Sequence, residues 1–279
     1  MLKLNIKCFN LKYTLECGQC FRWKYIGNNQ YIGVVKDRVI DIKQDIDEII
    51  IKSNKEEDLE KVVGKYFDFE KDYERIEKDI SKIDNNVKKA VQYSSGIRIL
   101  NQDLFETLIS YIISANNNIK RISNSIDKIS QKFGKVVKYN NIEYYLFPEL
   151  EELKKATVEE LVECGVGYRA NYIIKTVNMI NNQKEFEEKI SNMDQKSMKE
   201  ELLRFSGVGP KVADCILLFS LEQSNVFPID VWIKRVMEKL YFSKEINIKE
   251  ISAYSKMKYG NYAGIVQQHL FYNAREGMI

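Results

Sequence analysis

From Leu11 to Ile42 apolar and polar positions alternate, many of the residues are β-branched or aromatic, and turn signals stand at Cys17-Gly18 and Gly27-Asn28-Asn29. A period of two broken in this way predicts antiparallel strands. After Asp45 the spacing changes: Ile46, Ile49 and Ile50, then Leu59, Val62, Val63 and Tyr66 recur at three and four, which predicts helices. Helices on a small sheet make an α+β first domain, over residues 1–95. Beyond about Gly96 almost every segment has a helical period, with stops at Gly134, Phe147-Pro148, Gly165-Val166-Gly167, Gly207-Val208-Gly209 and Phe227-Pro228. Residues 96–279 are therefore expected to form a helical domain. The charged stretch from Asp68 to Lys89 reads as a solvated helical face or connector.

Length and composition add limits. A chain of 279 residues suits two modest domains. Its 43 Lys and Arg against 40 Asp and Glu leave a formal charge of +3, which by itself does not mark a nucleic-acid binder. No apolar run approaches a bilayer span, and the start, MLKLNIKCFNLKYTLE, lacks the order of a signal peptide, so a soluble intracellular (cytoplasmic) protein is expected. The five cysteines, at 8, 17, 20, 164 and 215, suit reduced thiols better than a disulfide framework. Cys17 and Cys20 form a C-x-x-C, but no second cysteine pair follows and His269 is the only histidine, so a zinc or redox site lacks ligands.

The chemistry concentrates in residues 201–240, where a helix, a glycine hairpin, a second helix, a loop and a third helix follow one another, with the hairpin motif at 202–220. Gly207 and Gly209 permit backbone angles that strain other residues, and Pro210 suits the first turn of a new helix. The helix it opens carries Val212, Ile216 and Phe219 on one side. Outward N–H groups of such a hairpin can cradle a phosphate, although a tight interhelical turn is the plainer reading. Lys211 stands in the first helical turn, where the dipole disfavours a cation, so its placement needs a reason. Local positive potential and partial burial favour the neutral, nucleophilic amine. Asp230 stands where a helix cap belongs; its carboxylate could also take a proton or stabilise positive charge developing on a sugar.

The hairpin Gly207-Val208-Gly209-Pro210-Lys211 together with Asp230 resembles the helix-hairpin-helix DNA glycosylases. Gly18-Gln19-Cys20-Phe21-Arg22-Trp23, Ser114-Ala115-Asn116-Asn117-Asn118-Ile119, Gly165-Val166-Gly167-Tyr168-Arg169-Ala170 and Tyr262-Ala263-Gly264 resemble, in order, the 8-oxoguanine glycosylase/lyase branch of that superfamily. The resemblance implies an N-terminal antiparallel sheet domain packed on two helical subdomains, with the DNA cleft between the latter. It implies a bifunctional enzyme that flips the damaged purine out of double-stranded DNA, attacks its sugar with Lys211 and nicks the strand by β-elimination, preferably opposite cytosine.

By the same resemblance Gly18, Cys215, Gln267 and Phe271 form the base pocket. Gly18 offers a carbonyl to the lesion's N7–H, Gln267 meets the Watson–Crick edge and Phe271 stacks on the ring. Asn116 fills the vacated stack, Arg121, Tyr168 and Arg169 hold the orphaned partner base, and Gly207, Gly209 and Val212 meet the backbone. Each residue has a plainer role open to it: Phe271 as core, Cys215 as a small buried residue, the asparagines as a polar loop or cap, the arginines as phosphate neutralisers. Trp232 departs from the family pattern, in which a histidine commonly stands two residues after the aspartate. No metal or organic cofactor is implied; the iron–sulfur relatives carry four cysteines near the C-terminus, and no cysteine follows Cys215. No membrane partner is expected, and the working form is a monomer. The rival readings are a glycosylase for other oxidised or alkylated bases and a non-catalytic helix-hairpin-helix DNA-binding protein.

Overall fold

A computed structural model describes residues 1–183 and 185–278. The chain opens with a strand, β1 (Leu2–Asn5), and a short helix, α1 (Leu11–Glu16). Four strands follow: β2 (Trp23–Gly27), β3 (Gln30–Val35), β4 (Arg38–Asp45) and β5 (Glu48–Ser53). With β1 they make one antiparallel sheet in the order β1-β5-β4-β3-β2.

Two expectations are corrected here. Leu11–Glu16 is a helix, because Asn10 caps it through Tyr13 N–H and because Leu11, Thr14 and Leu15 are buried at helical spacing. Residues 48–53 are a strand rather than a helix. Ile49 and Ile51 are fully buried while Ile50 is less so, and a run of β-branched isoleucines favours the pleated surface.

Alternation gives the sheet two buried faces. Tyr31, Val35, Ile40, Ile42, Ile49 and Ile51 pack on Leu59, Val63 and Tyr66 of helix α2 (Leu59–Tyr66). Ile32, Val34 and Val39 point the other way, onto Val137, Tyr139, Tyr144 and Leu146. Three of these belong to a hairpin that the helical reading of the second half passed over, β6 (Val136–Tyr139) with β7 (Ile142–Tyr145). Asn140 and Asn141 both take positive φ at its turn, and Tyr139 O–H donates to Asp41 of β4 at 2.9 Å.

The other elements are helical. α3 (Tyr73–Ile80) and α4 (Asn85–Ser94) lead to α5 (Leu104–Ser114) and α6 (Ile119–Phe133). After the hairpin come α7 (Leu150–Leu153), α8 (Val158–Glu163), α9 (Arg169–Asn181), α10 (Phe186–Ser191), α11 (Gln195–Leu202), α12 (Pro210–Ser220) and α13 (Val231–Met237), the last followed by a π-helical turn, Glu238–Phe242. α14 (Ile248–Tyr259) and α15 (Ala263–Arg275) close the chain. Their apolar faces share one core, with Leu108 and Ile112 of α5, Ile216 of α12 and Val266 and Leu270 of α15 fully buried. α3 and α4 join that core, Leu100 belongs to the sheet's and Leu104 to the helical one again, so the chain crosses between the layers three times. No helix among the described residues is long and apolar enough to cross a membrane.

Candidate active site

The hairpin between α11 and α12 is closed by Val208 N–H to Phe205 O at 3.1 Å. Gly207 has φ +86°, and a Cβ there would stand 2.7 Å from Cδ2 of Tyr172, so conformation and space both demand glycine. Gly209 is the N-cap of α12 and Pro210 its first residue. The first bond of this helix is Ala213 N–H to Gly209 O at 2.9 Å, so the N–H groups of Lys211 and Val212 have no carbonyl one turn back. They can meet an anion at the positive end of the dipole. The Val212 side chain is buried, which leaves it only its backbone for such a contact.

Lys211 is half-buried, with Nζ 5.3 Å from the ring centroid of Tyr111 on α5, a cation–π distance. One turn along α12 stands the Cys215 thiol, which feels the charge of the same amine. Burial pushes that thiol's pKa up to about 11 and Lys211 pulls it back only partly, so near neutrality Cys215 is a neutral wall. Asp230 lies within electrostatic range of Cys215. Its Oδ1 accepts Ile233 N–H at 2.8 Å and so caps α13, while Oδ2 has no hydrogen-bond partner among the described residues. The cap therefore leaves the second carboxylate oxygen unused.

Tyr111 was not foreseen as part of the site. An aromatic residue in an apolar helix reads as core, and only tertiary structure brings it beside Lys211. Its hydroxyl faces Gln19 O at 3.3 Å and Gly18 O at 3.5 Å, which links the N-terminal loop to the amine.

That loop is held by the residues around Gly18. Gln19 is fully buried; its amide donates to Thr14 O and Arg98 O at 2.9 and 2.8 Å and accepts Leu100 N–H at 2.9 Å. Arg22 ties the loop to Tyr145 O and to Glu106, and Trp23 donates to Tyr66 O–H at 2.9 Å. Burial raises the Glu106 carboxyl to about 7 against the pull of Arg22. Cys17 and Cys20 donate to Thr14 O and Leu15 O, finishing α1. Gly18 itself has φ +81°, and a Cβ on it would lie 3.3 Å from Cε1 of Phe271. Phe271 is half-buried on α15, one turn after Gln267, which is buried on the same face.

The asparagine run divides by task. Asn118 caps α6 through Arg121 N–H at 3.0 Å, and Asn117 donates to Ile113 O at 3.1 Å at the end of α5. Asn116 alone is exposed with a left-handed φ of +55° and no side-chain bond among the described residues. Arg121 is exposed. Tyr168 is 57% exposed, at the start of α9, with its ring edge-on to Tyr172. Arg169 is different: it is buried, and its guanidinium donates to Ala115 O (2.9 Å from Nε), Asn116 O (3.2 Å) and Val166 O (3.3 Å). It buttresses the loop that carries Asn116. Trp232 is about half exposed beside Asp230. One open cleft is lined by Cys20, Arg22, Asp103 and Glu187.

Residues 1–108 match the family model for the N-terminal domain of 8-oxoguanine DNA glycosylase, and residues 109–259 match that of the HhH-GPD superfamily of base excision DNA repair proteins. The N-glycosylase/DNA lyase of Saccharomyces cerevisiae is 31% identical over 324 aligned positions, covering 97% of this chain and 84% of the relative. The N-glycosylase/DNA lyase OGG1 of Arabidopsis thaliana is 30% identical, covering 97% and 78%. Clostridium acetobutylicum 8-oxoguanine glycosylase/lyase, in complex with double-stranded DNA containing cytosine opposite 8-oxoguanine, superposes with a TM-score of 0.93 at 40% identity over 100% of this chain and 99% of that one. With its hairpin lysine and capping aspartate on one site and its sheet domain in place, the chain belongs to the 8-oxoguanine DNA glycosylase/lyase family of the HhH-GPD superfamily.

Proposed function

We propose that this protein excises 8-oxoguanine from duplex DNA, preferably opposite cytosine, and then nicks the strand, with Lys211 as the nucleophile. The observation that carries the reading is the setting of Lys211: its amine lies over Tyr111 and beside a neutral Cys215, with the Asp230 charge acting on the same pocket. The cytosine-paired lesion in the complex of the Clostridium relative supports the choice of substrate.

The steps follow from the groups present. The Lys211 amine, once it has given up its proton, forms a bond to C1′ of the sugar as the C1′–N9 bond breaks, and the departing purine carries off the electron pair and takes up a proton. The Oδ2 oxygen of Asp230 stabilises the positive charge that grows on the sugar. Opening of the sugar ring leaves a protonated imine on Lys211. Loss of a proton from C2′ then expels the 3′ phosphate by β-elimination, and water releases the lysine. Gly18 O accepts the N7–H that the lesion has and guanine lacks; against guanine two acceptors face each other, at a cost on the order of 1–3 kcal/mol. Phe271 stacks on the flipped base, Gln267 meets its edge, and Asn116 fills the gap. The N–H groups at Gly207, Gly209 and Val212 bind phosphate, and Arg121 and Tyr168 hold the partner base, with Arg169 bracing the Asn116 loop beside them. The protein acts where the genome is, inside the cell, and uses no metal or organic cofactor.

The test is excision from duplexes that differ in one base. 8-Oxoguanine opposite cytosine is cleaved about tenfold or more faster than opposite adenine, and undamaged guanine is left intact. Cleavage of an oxidised pyrimidine but not 8-oxoguanine, or binding without any nick, contradicts the reading.

A further inference from the structure

α15 carries two consecutive buried glutamines, Gln267 and Gln268, 4% and 3% exposed. Gln268 Nε2 donates to Gln267 Oε1 at 2.8 Å, and Gln268 Oε1 is buried without a partner among the described residues. Gln267 Nε2 has no hydrogen-bond acceptor among them either, and it is not one of the atoms sealed from solvent. A side-chain amide has a donor end and an acceptor end, so turning it over reverses the pattern it presents. Turning both amides over would direct Gln267 Nε2 to Gln268 Oε1 and leave the Gln268 NH2 buried with no acceptor. An orphaned buried donor is rarer in proteins than an under-satisfied carbonyl, so the observed orientation is the favoured one.

We propose that Gln268 is a specificity-determining positioning residue: by holding Gln267 Oε1 it keeps the Gln267 amide in the one orientation that suits a 6-oxopurine and rejects a 6-aminopurine. The inference rests on the reading of Gln267 as the residue that meets the flipped base. A 6-oxopurine offers an acceptor at O6 beside a donor at N1–H. Gln267 meets them with Nε2–H and with the second lone pair of Oε1, the first being taken by Gln268. A 6-aminopurine offers a donor at N6 beside an acceptor at N1, and the same amide then sets donor against donor and lone pair against lone pair. The Gly18 carbonyl cannot make this distinction, because 8-oxoguanine and 8-oxoadenine both carry N7–H. A second reader is needed, and it reads reliably only if its amide cannot turn.

Single-turnover excision of 8-oxoguanine and of 8-oxoadenine, each opposite cytosine, tests this in wild type and in Gln268→Met, a swap of similar volume without the donor. Cleavage of a preformed abasic site in the same duplex serves as the control, since it needs Lys211 but no base pocket. The ratio of the two excision rates is expected to fall about tenfold in the variant. Abasic-site cleavage is expected to stay within about twofold of wild type. Gln268→Ala moves both readouts in the same directions and stands in if the methionine variant does not fold. A ratio unchanged in both variants overturns the inference, as does a parallel loss of excision and abasic-site cleavage, which would show a merely structural role. A wild-type enzyme that cleaves abasic sites but leaves 8-oxoguanine in place contradicts the proposed function, and this inference with it.

Discussion

At Gly18 two demands meet in one residue: a backbone in the left-handed region and a Cβ position 3.3 Å from Phe271. Gly18→Ala therefore strains the loop by about 1–2 kcal/mol and presses a methyl group toward the Phe271 ring, proposed to stack on the base. Single-turnover excision of 8-oxoguanine is expected to fall about tenfold or more, with cleavage of preformed abasic sites little changed. An unchanged excision rate removes Gly18 from the pocket. Lys211 and Asp230 were legible in the sequence because helix punctuation isolates them: a cation just after the Pro210 that opens a helix, and a cap after Pro228. Tyr111 and Gln268 were not. Each lies in a helix whose neighbouring residues are buried, and nothing local separates a residue turned toward a substrate from one turned toward the core.

At the scale of elements, the loop between α5 and α6 and the start of α9 form one unit, because Arg169 bonds the carbonyls of Ala115 and Asn116. The two arginines assigned to the partner base should thus behave differently. Arg121 is exposed, and an arginine fork suits the paired O2 and N3 acceptors of cytosine. Arg121→Ala is expected to flatten the cytosine-over-adenine preference by about tenfold. Arg169→Ala should lower excision opposite both bases as the Asn116 loop loosens, besides weakening the preference. Rates that fall together in Arg121→Ala, with the salt slope of binding reduced by about one, would show phosphate neutralisation instead.

The elements themselves were legible where β-branched runs or a Gly-Pro start mark them, as in β3, β4 and α12. They were misread where the segment is short. Six residues of α1 hold less than two full turns, and the β6–β7 hairpin announces itself only through Asn140-Asn141.

Over the whole molecule, the proposed site draws the Gly18 carbonyl from the N-terminal part of the chain, and the amine, the carboxylate and the Asn116 loop from the helical layer. The architecture could be inferred because the motifs run nearly from end to end. The threefold crossing of the chain between its two cores could not, since both cores draw on similar aliphatic residues. The proposed reaction turns on one bond, between Lys211 and C1′. Borohydride reduction during turnover on an 8-oxoguanine:cytosine duplex, followed by peptide mapping, tests that bond directly. The account predicts a covalent adduct at Lys211 in wild type. In Lys211→Gln it predicts no adduct and no base excision, with lesion-duplex affinity within about threefold of wild type. An adduct on another lysine, or base excision that survives in Lys211→Gln, would contradict it.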